Sequence, residues 1–270
     1  MKKLALLLLI LSVASAEFIL ESVQVTASNI QPDGTADVSE TIKFLVKGNF
    51  SKALYDSGFK KTDDLALWSS NINLSDVRQH VNPAYVVISN FRLQPQPRTG
   101  CNPLLDLCHG SLQIGYKVSP VYNNSKGVSG TGLFSVDTYK PRTTRYVLNP
   151  NALSFTNTEG GNVLLEPDVY FTVQLPLDAT LLEVNPPTKS TDLSGGMRTL
   201  TWTDMVLVQF SLIFEEEESI DKEVGGFFAN SLSDFQGMLR SQNGLAFLAI
   251  LGIMIGSYIY ITIAKKKKEE

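Results

Sequence analysis

The chain has 270 residues, of which 43% are hydrophobic and 19% are charged. This composition excludes an intrinsically disordered chain, and the length suits one large domain or two small ones. With 19 glycines, 12 prolines and 2 cysteines, the sequence is neither collagen-like nor a disulfide-dense scaffold. The formal net charge of −4 argues against a nucleic-acid-binding protein, since such domains are usually basic.

Residues 1–16 have the pattern of a cleaved secretory signal peptide. Lys2 and Lys3 precede an apolar run from Leu4 to Leu11, and a series of small residues ends at Ala16. The apolar run is too short to span a bilayer as a lasting anchor. The alternative is an uncleaved N-terminal anchor, but the pattern predicts removal of the leader and export of the rest.

The segment that follows is predicted to be mainly β, with the strands arranged as an antiparallel sandwich. Residues alternate between apolar and polar from Gly34 to Lys47, where Glu40 is the one charged residue on the apolar face. Asp33-Gly34 predicts a hairpin turn after a strand at 18–27. Further strands are predicted at 85–93, 112–118, 169–175 and 206–214. Turns are predicted at 94–97, 123–127, 149–150, 185–187 and 194–196, and short helical pieces near 51–59 and 75–80.

A boundary near residue 160 divides this region into an N-terminal β-domain at 17–160 and a C-terminal Ig-like unit at 161–219. The second unit has about four predicted strands, which are too few for an independent core. We therefore expect one composite structure, or two abutting sandwiches, rather than two independent domains.

The two cysteines, Cys101 and Cys108, are close together in the exported region. Outside the cell such cysteines usually pair, so a disulfide is predicted. A zinc site that also uses His109 and His80 is the alternative, but the spacing matches no usual zinc pattern. Three sequons supply glycosylation candidates at Asn49, Asn73 and Asn123.

Motifs for catalysis are absent from the sequence. Neither histidine lies in a nucleophile–base context, and no G-x-S-x-G, H-E-x-x-H or phosphate-loop pattern occurs. Carboxylate pairs could come from Asp63-Asp64, from Glu166 with Asp168, or from 215–218, but solvated surface charge is their ordinary interpretation. Trp202 is predicted to lie in the core, and Trp68 is undetermined. No catalytic, cofactor-binding or metal-binding residue is assigned.

Residues 220–243 are predicted to form a juxtamembrane amphipathic helix. Its apolar stripe would contact a partner protein, the β-domain or the outer membrane surface. The polar face of the helix is not basic, which favours packing or partner contact over lipid. The stripe includes Phe227, Phe228, Leu232, Phe235 and Met238.

Residues 244–264 contain no charge and predict a single transmembrane helix of about 31 Å. The basic tail at 265–270 places the C-terminus in the cytoplasm and the N-terminus outside. Gly252 and Gly256 form a GxxxG pair, which indicates either a homodimer through the span or incidental glycines. In a eukaryote, Lys267 and Lys268 would resemble a retrieval signal for the endoplasmic reticulum. The short leader favours a prokaryotic cell membrane.

Two segments carry a family resemblance. The run Asp33-Gly34-Thr35…Glu40-Thr41-Ile42-Lys43-Phe44 resembles the opening of exported β-domains in membrane-anchored surface proteins of archaea and bacteria. The segment from Leu175 to Phe210 is similar to Ig-like units of archaeal exported proteins. This resemblance implies an Ig-like fold and a location at the cell surface, and it implies no catalytic residues.

These features predict a non-enzymatic binding or assembly module that is tethered to the membrane and faces away from the cytoplasm. Its expected partners are the membrane and one or more proteins, with no nucleic acid and no cofactor. The alternative is an exported hydrolase that acts on envelope glycan or peptide.

The leader pattern predicts that the mature chain begins at Glu17, because Ala14 and Ala16 supply the small residues that signal cleavage needs. N-terminal sequencing of the purified protein should return Glu17 as the first residue. Ala16→Leu should block cleavage and leave Met1. A wild-type protein that keeps Met1 would contradict the prediction.

Overall fold

The structure is a computed structural model that describes residues 16–59, 64–121, 132–140, 142–158 and 162–217. All of these residues belong to one compact unit, which ends at Glu217. The predicted signal peptide up to residue 15, the amphipathic helix, the span and the tail lie outside the described residues. Within the described part of the chain, no helix is long and apolar enough to cross a bilayer.

The described residues form twelve strands and two helices. In chain order they are β1 (Glu17–Ser28), β2 (Ala36–Lys47), α1 (Gly48–Phe59), α2 (Leu65–Ile72), β3 (Val86–Asn102), β4 (Leu107–Pro120), β5 (Phe134–Lys140), β6 (Thr143–Leu148), β7 (Thr156–Asn157), β8 (Val163–Pro176), β9 (Thr180–Asn185), β10 (Ser190–Ser194), β11 (Met197–Leu207) and β12 (Ser211–Glu217). A short 3₁₀ turn at Pro150–Ala152 follows β6.

The strands build two sheets, so the prediction of a mainly β fold is confirmed. The large sheet has the order β10-β11-β8-β1-β2-β4-β3, and β7 also pairs with β8. The small sheet has the order β5-β6-β12-β9. All neighbouring strands are antiparallel except β1 and β8, which run parallel, so the prediction of a purely antiparallel arrangement was wrong for this pair. Strands from both sides of residue 160 share both sheets.

One face of the large sheet is the wall of the core. Every second residue of β2 is buried, including Ile42 and Phe44, as the alternation predicts. Helices α1 and α2 pack near this face, where the rings of Phe44 and Tyr55 lie 5.8 Å apart and those of Tyr55 and Trp68 5.3 Å apart. A Cβ atom at Gly110 would lie 2.7 Å from Phe44 Cε2, so this position admits no side chain.

The two tryptophans are both in the core. Trp202 is fully buried, which confirms its prediction, and its indole N–H donates to the backbone oxygen of Pro186. Trp68, which the sequence left undetermined, is buried on α2. The helix begins after Asp64, whose carboxylate accepts from the N–H groups of Ala66 and Leu67. This is an ordinary N-cap.

Two local predictions were wrong, one of a turn and one of a helix. A turn was predicted at 94–97, but β3 continues through Pro95 and Pro97. Proline is tolerated there because β3 is the edge of the sheet, where one row of N–H groups has no partner strand. The helical piece predicted at 75–80 is irregular, and the second helix is α2 instead.

The single long strand predicted at 206–214 is in fact two strands that belong to different sheets. A turn at Val208 and Gln209 separates β11 from β12. Val206 and Val208 are exposed, whereas Leu207 and Phe210 are buried. The side-chain amide of Asn185 donates to the backbone oxygen of Gln209 and stabilises this turn.

A buried polar cluster ties the large sheet to the segment before β3. Glu40 and His80 are both buried, and the backbone N–H of His80 donates to Glu40 Oε1 at 2.9 Å. His80 Nδ1 lies 2.9 Å from Glu40 Oε2, and the phenol of Tyr116 donates to Glu40 Oε1. Burial, and then the charge of Glu40, raise the pKa of Tyr116 far above its ordinary value. The charged residue that interrupts the apolar face of β2 is therefore fully hydrogen-bonded.

We expect Glu40→Gln to destabilise the folded chain by about 2–3 kcal/mol, because both carboxylate oxygens of Glu40 lie in buried hydrogen bonds and an amide has only one accepting oxygen. Urea unfolding of the purified chain measures this change. Glu166→Gln, at an exposed position of β8, is the matched control and should alter stability by less than about 0.5 kcal/mol. Equal effects of the two substitutions would show that the cluster has no special role.

Candidate functional site

Cys101 and Cys108 form a disulfide, as the sequence predicts. The bond joins the last residues of β3 to the first residues of β4 and closes the hairpin between them. We call residues 103–106, which form the turn of this hairpin, the hairpin tip. The carboxamide oxygen of Asn102 accepts from the N–H groups of Leu104 and Leu105, which fixes the turn from within.

Helix α1 anchors the hairpin tip from one side. The backbone N–H of Gly48 donates to the backbone oxygen of Asp106 at 3.0 Å, and Lys52 forms an ion pair with the Asp106 carboxylate. Arg98 makes two hydrogen bonds to Asp56 on α1. One guanidinium nitrogen of Arg98 also lies 3.1 Å from the sulfur of Cys108. The tip is therefore held by the disulfide, by its own turn and by α1.

The hairpin tip exposes apolar side chains. Leu104 is 93% exposed and Leu105 is 61% exposed. Phe50, two residues after the Gly48 that bonds to the tip, is 52% exposed. Apolar side chains exposed on a turn that is held by a disulfide, by its own hydrogen bonds and by α1 indicate a contact surface.

The zinc alternative does not match the positions of its ligands. Both cysteine sulfurs are in the disulfide, His80 is bonded to Glu40, and His109 Nδ1 lies 2.9 Å from Glu21 Oε2. The described residues contain no group of three or more histidine, cysteine or carboxylate side chains that could hold a metal ion.

The carboxylate groups noted in the sequence serve local roles where they are described. Asp64 caps α2, and Asp63 lies outside the described residues. Glu215 pairs with Arg145 at 2.8 Å, so part of the acidic run at 215–218 is neutralised by the neighbouring strand. Glu166 and Asp168 are exposed on β8.

Two clefts lie on the face of the large sheet that points away from the core. The first has a volume of about 450 Å³ and the second of about 420 Å³. The first is lined by Glu21, Ser22, Lys43, Gln96, Pro97, Thr99, His109, Gly110 and Ser111. The second is lined by Ser39, Glu40, Thr41, Arg92, Gln94, Gln113, Ile114 and Gly115.

The strand register brings these residues together. Lys43 on β2 pairs with Ser22 on β1 and with Ser111 on β4, and Ser111 pairs with Gln96 on β3. The sequence showed that Thr41 and Lys43 face away from the core, but it did not show which residues of other strands lie beside them. Only the pairing of β2 with β1 and β4 reveals the clefts.

The Glu21–His109 pair is the one arrangement in the first cleft that resembles a catalytic dyad. A nucleophilic mechanism needs a hydroxyl or thiol within hydrogen-bond reach of the histidine. Ser22, Ser111 and Thr99 line the same cleft, but among the described residues none of their hydroxyls is hydrogen-bonded to His109. The cleft offers hydrogen-bonding groups and charge rather than an assembled nucleophile and base.

The remaining candidate residues fall into two groups. Asn49 is in the first turn of α1 and Asn73 caps the end of α2, and both side chains are exposed, as a glycan would require. The others lie outside the described residues: Asn123, Phe227, Phe228, Leu232, Phe235, Met238, Gly252 and Gly256.

Comparisons with known proteins give limited information. No protein-family model and no curated protein match the chain. Among solved structures, the chain is similar to native leukotriene A4 hydrolase from Saccharomyces cerevisiae, with 9% identity and a TM-score of 0.33 over 74% of this chain. It is also similar to the yeast enzyme in complex with bestatin, with 11% identity and a TM-score of 0.31 over 75% of this chain. The chain spans 29% of the length of each. At this level the similarity does not bear on function.

The disulfide should resist alkylation and contribute to stability. Without reductant, iodoacetamide should label neither cysteine, and peptide mapping should recover both in one linked peptide. Cys101→Ser combined with Cys108→Ser should lower the free energy of unfolding by about 2.5 kcal/mol, from the chain entropy of a loop of this length. Complete alkylation of the native protein would contradict the pairing.

Proposed function

We propose that this protein is a non-enzymatic binding or assembly module that is tethered to the membrane on its extracytoplasmic side and captures a protein partner through the hairpin tip. One observation carries the proposal: Leu104 and Leu105 project from a turn that the disulfide and α1 hold in place. Burying one leucine contributes about 1.5–3 kcal/mol, so two leucines supply a substantial part of an interface.

The rigidity of the tip supports a role in recognition. A loop that is ordered before it binds loses less conformational entropy on association than a flexible loop loses. Asp106 accepts from Gly48 and pairs with Lys52, and Asn102 fixes the turn. These contacts present the two leucines in one arrangement, as a partner with a matching apolar pocket would require.

Charge around the tip favours a protein partner over a lipid surface. Binding to anionic headgroups needs basic side chains with free charge near the apolar residues. Three basic residues near the tip are each paired with an acidic one among the described residues. Lys47 pairs with Glu17, Lys52 with Asp106 and Arg98 with Asp56.

The proposal retains the finer architecture that the sequence predicts. The ectodomain is an Ig-like sandwich, the amphipathic helix at 220–243 couples it to the span at 244–264, and the tail at 265–270 is cytoplasmic. In this arrangement the stripe that includes Phe228 and Phe235 offers a second partner contact. In this proposal the span holds the protein in the cell membrane, and Gly252 and Gly256 either pair two spans or are incidental glycines of a monomeric anchor.

We expect Leu104→Ser combined with Leu105→Ser to lower recovery of the partner at least about ten-fold, because two buried leucines are lost from the interface. Quantitative affinity purification from native membranes measures this loss. The matched control is Leu182→Ser combined with Leu193→Ser, which changes leucines of β9 and β10 that are 47% and 62% exposed.

Both double variants should keep wild-type stability within about 0.5 kcal/mol, since the substituted side chains are exposed. A tip variant that retains its co-purifying proteins at the wild-type level would refute the role of the tip. Loss of the same proteins from the control variant would point to a general surface effect instead.

A further inference from the structure

The outer face of four neighbouring strands carries rows of hydrogen-bonding side chains, most of which are neutral. The strands are β1, β2, β4 and β3, in that order, and the rows that cross them follow from the register. One row runs through Ser22, Lys43, Ser111 and Gln96. The next runs through Gln24, Thr41, Gln113 and Gln94.

Two side chains on this face are cationic and have no ion-pair partner among the described residues. No carboxylate of the described residues lies within ion-pair distance of Lys43 or Arg92. Each of the two lines one cleft, Lys43 the first and Arg92 the second.

Among the other charged groups on this face, Lys117 is 4.0 Å from Asp37 and Lys47 is paired with Glu17. Glu21, which lies beside His109, contributes one negative charge when histidine is counted as neutral. Lys43 and Arg92 together exceed it, so the face carries an excess of one positive charge on a chain whose net charge, counted in the same way, is −4. A local excess of this sign attracts an anionic ligand.

The two cations are far apart along the face. In the strand register, Lys43 pairs with Ser111 on β4, and Arg92 pairs with Gly115 on the same strand. With about 3.4 Å per residue along a strand and about 4.8 Å between strands, the Cα atoms of Lys43 and Arg92 are roughly 17 Å apart. A ligand that reaches both must be an extended chain.

The face is also held rigid from beneath. The phenol of Tyr55 donates to the backbone oxygen of Gln96 at 2.6 Å and lies 3.1 Å from the backbone oxygen of Ser111. The disulfide joins the strand ends that carry Thr99 and His109. These contacts fix the spacing of β3 and β4, which form the walls of the clefts.

We infer that this face binds a linear, sparsely charged acidic polysaccharide. Carboxamides and hydroxyls can both donate to and accept from sugar hydroxyls, which are present along the whole length of such a chain. Lys43 and Arg92 contact two carboxylates of the polymer, and the neutral rows contact the sugars between them. This ligand and this surface are separate from the protein partner and from the hairpin tip.

The test uses the full-length chain in a non-ionic detergent and isothermal titration calorimetry. The probe is a hyaluronate oligosaccharide, in which uronate units alternate with neutral amino sugars. A chitin oligosaccharide of equal length is the neutral comparison, and poly-glutamate is the polypeptide comparison. Hyaluronate should bind, and its affinity should fall as NaCl is raised, because salt screens exposed charges. The chitin oligosaccharide and poly-glutamate should each bind at least about ten-fold more weakly.

Substitutions at the two cations test whether hyaluronate binds to this face. Lys43→Met and Arg92→Met should each weaken hyaluronate binding about two- to five-fold, and their combination about ten-fold. Lys189→Met removes a cation that is paired with Asp204, and it should leave the affinity unchanged. Leu104→Ser combined with Leu105→Ser should leave hyaluronate binding as in the wild type, so this inference and the role of the tip can fail separately.

Three results would overturn the inference. They are absence of hyaluronate binding, equal affinity for the neutral oligosaccharide, and tighter binding of poly-glutamate than of hyaluronate. Unchanged hyaluronate affinity when Lys43→Met is combined with Arg92→Met would also exclude this face as the site.

Discussion

β2 pairs with β1 on one side and with β4 on the other. Its side chains alternate between the two faces of the large sheet, and this alternation determines which residues enter the core and which face outward. Ile42 and Phe44 contribute to the core, while Thr41 and Lys43 face outward. A shift of one residue in this register would bury Lys43 and expose Phe44, so one register is strongly favoured. The same constraint aligns the outward residues of four strands into the rows that line the clefts.

Local alternation in the sequence predicted most of the strands of the large sheet, because a half-buried strand needs period two. The pattern could not predict β3 beyond Leu93, since Pro95 and Pro97 are acceptable only in an edge strand, and edge position is a property of the whole sheet. The same pattern also predicted one strand where the structure has β11 and β12. Val208, in the turn between them, is an exposed apolar residue, so the sequence there resembles a continued strand. The parallel pairing of β1 with β8 joins distant segments and has no local signal.

The functional surfaces were predictable to different degrees. Close spacing of Cys101 and Cys108 in a region predicted to be exported was sufficient to predict the disulfide. The hairpin tip that carries Leu104 and Leu105 is held by Gly48 and Lys52, which contact Asp106 from a helix that is distant in sequence. The clefts depend on which residues lie beside one another in neighbouring strands, and composition does not record this. Glu40 was visible as an exception on an apolar face, but its partners His80 and Tyr116 come from separate segments.

The parallel pairing of β1 with β8 also has a consequence for how the chain folds during synthesis. β1, β2, β3 and β4 lie early in the chain and can pair as soon as they have been synthesised. The other edge of β1, which includes Val23, stays uncovered until β8, which includes Val169, has also been synthesised. Until then β1 presents a row of unpaired backbone groups, which other chains can join. Pairings between distant segments form slowly, and intermediates with open edges are prone to aggregation. Until β8 has been synthesised, the uncovered edge of β1 is therefore a place where newly made chains can pair with one another.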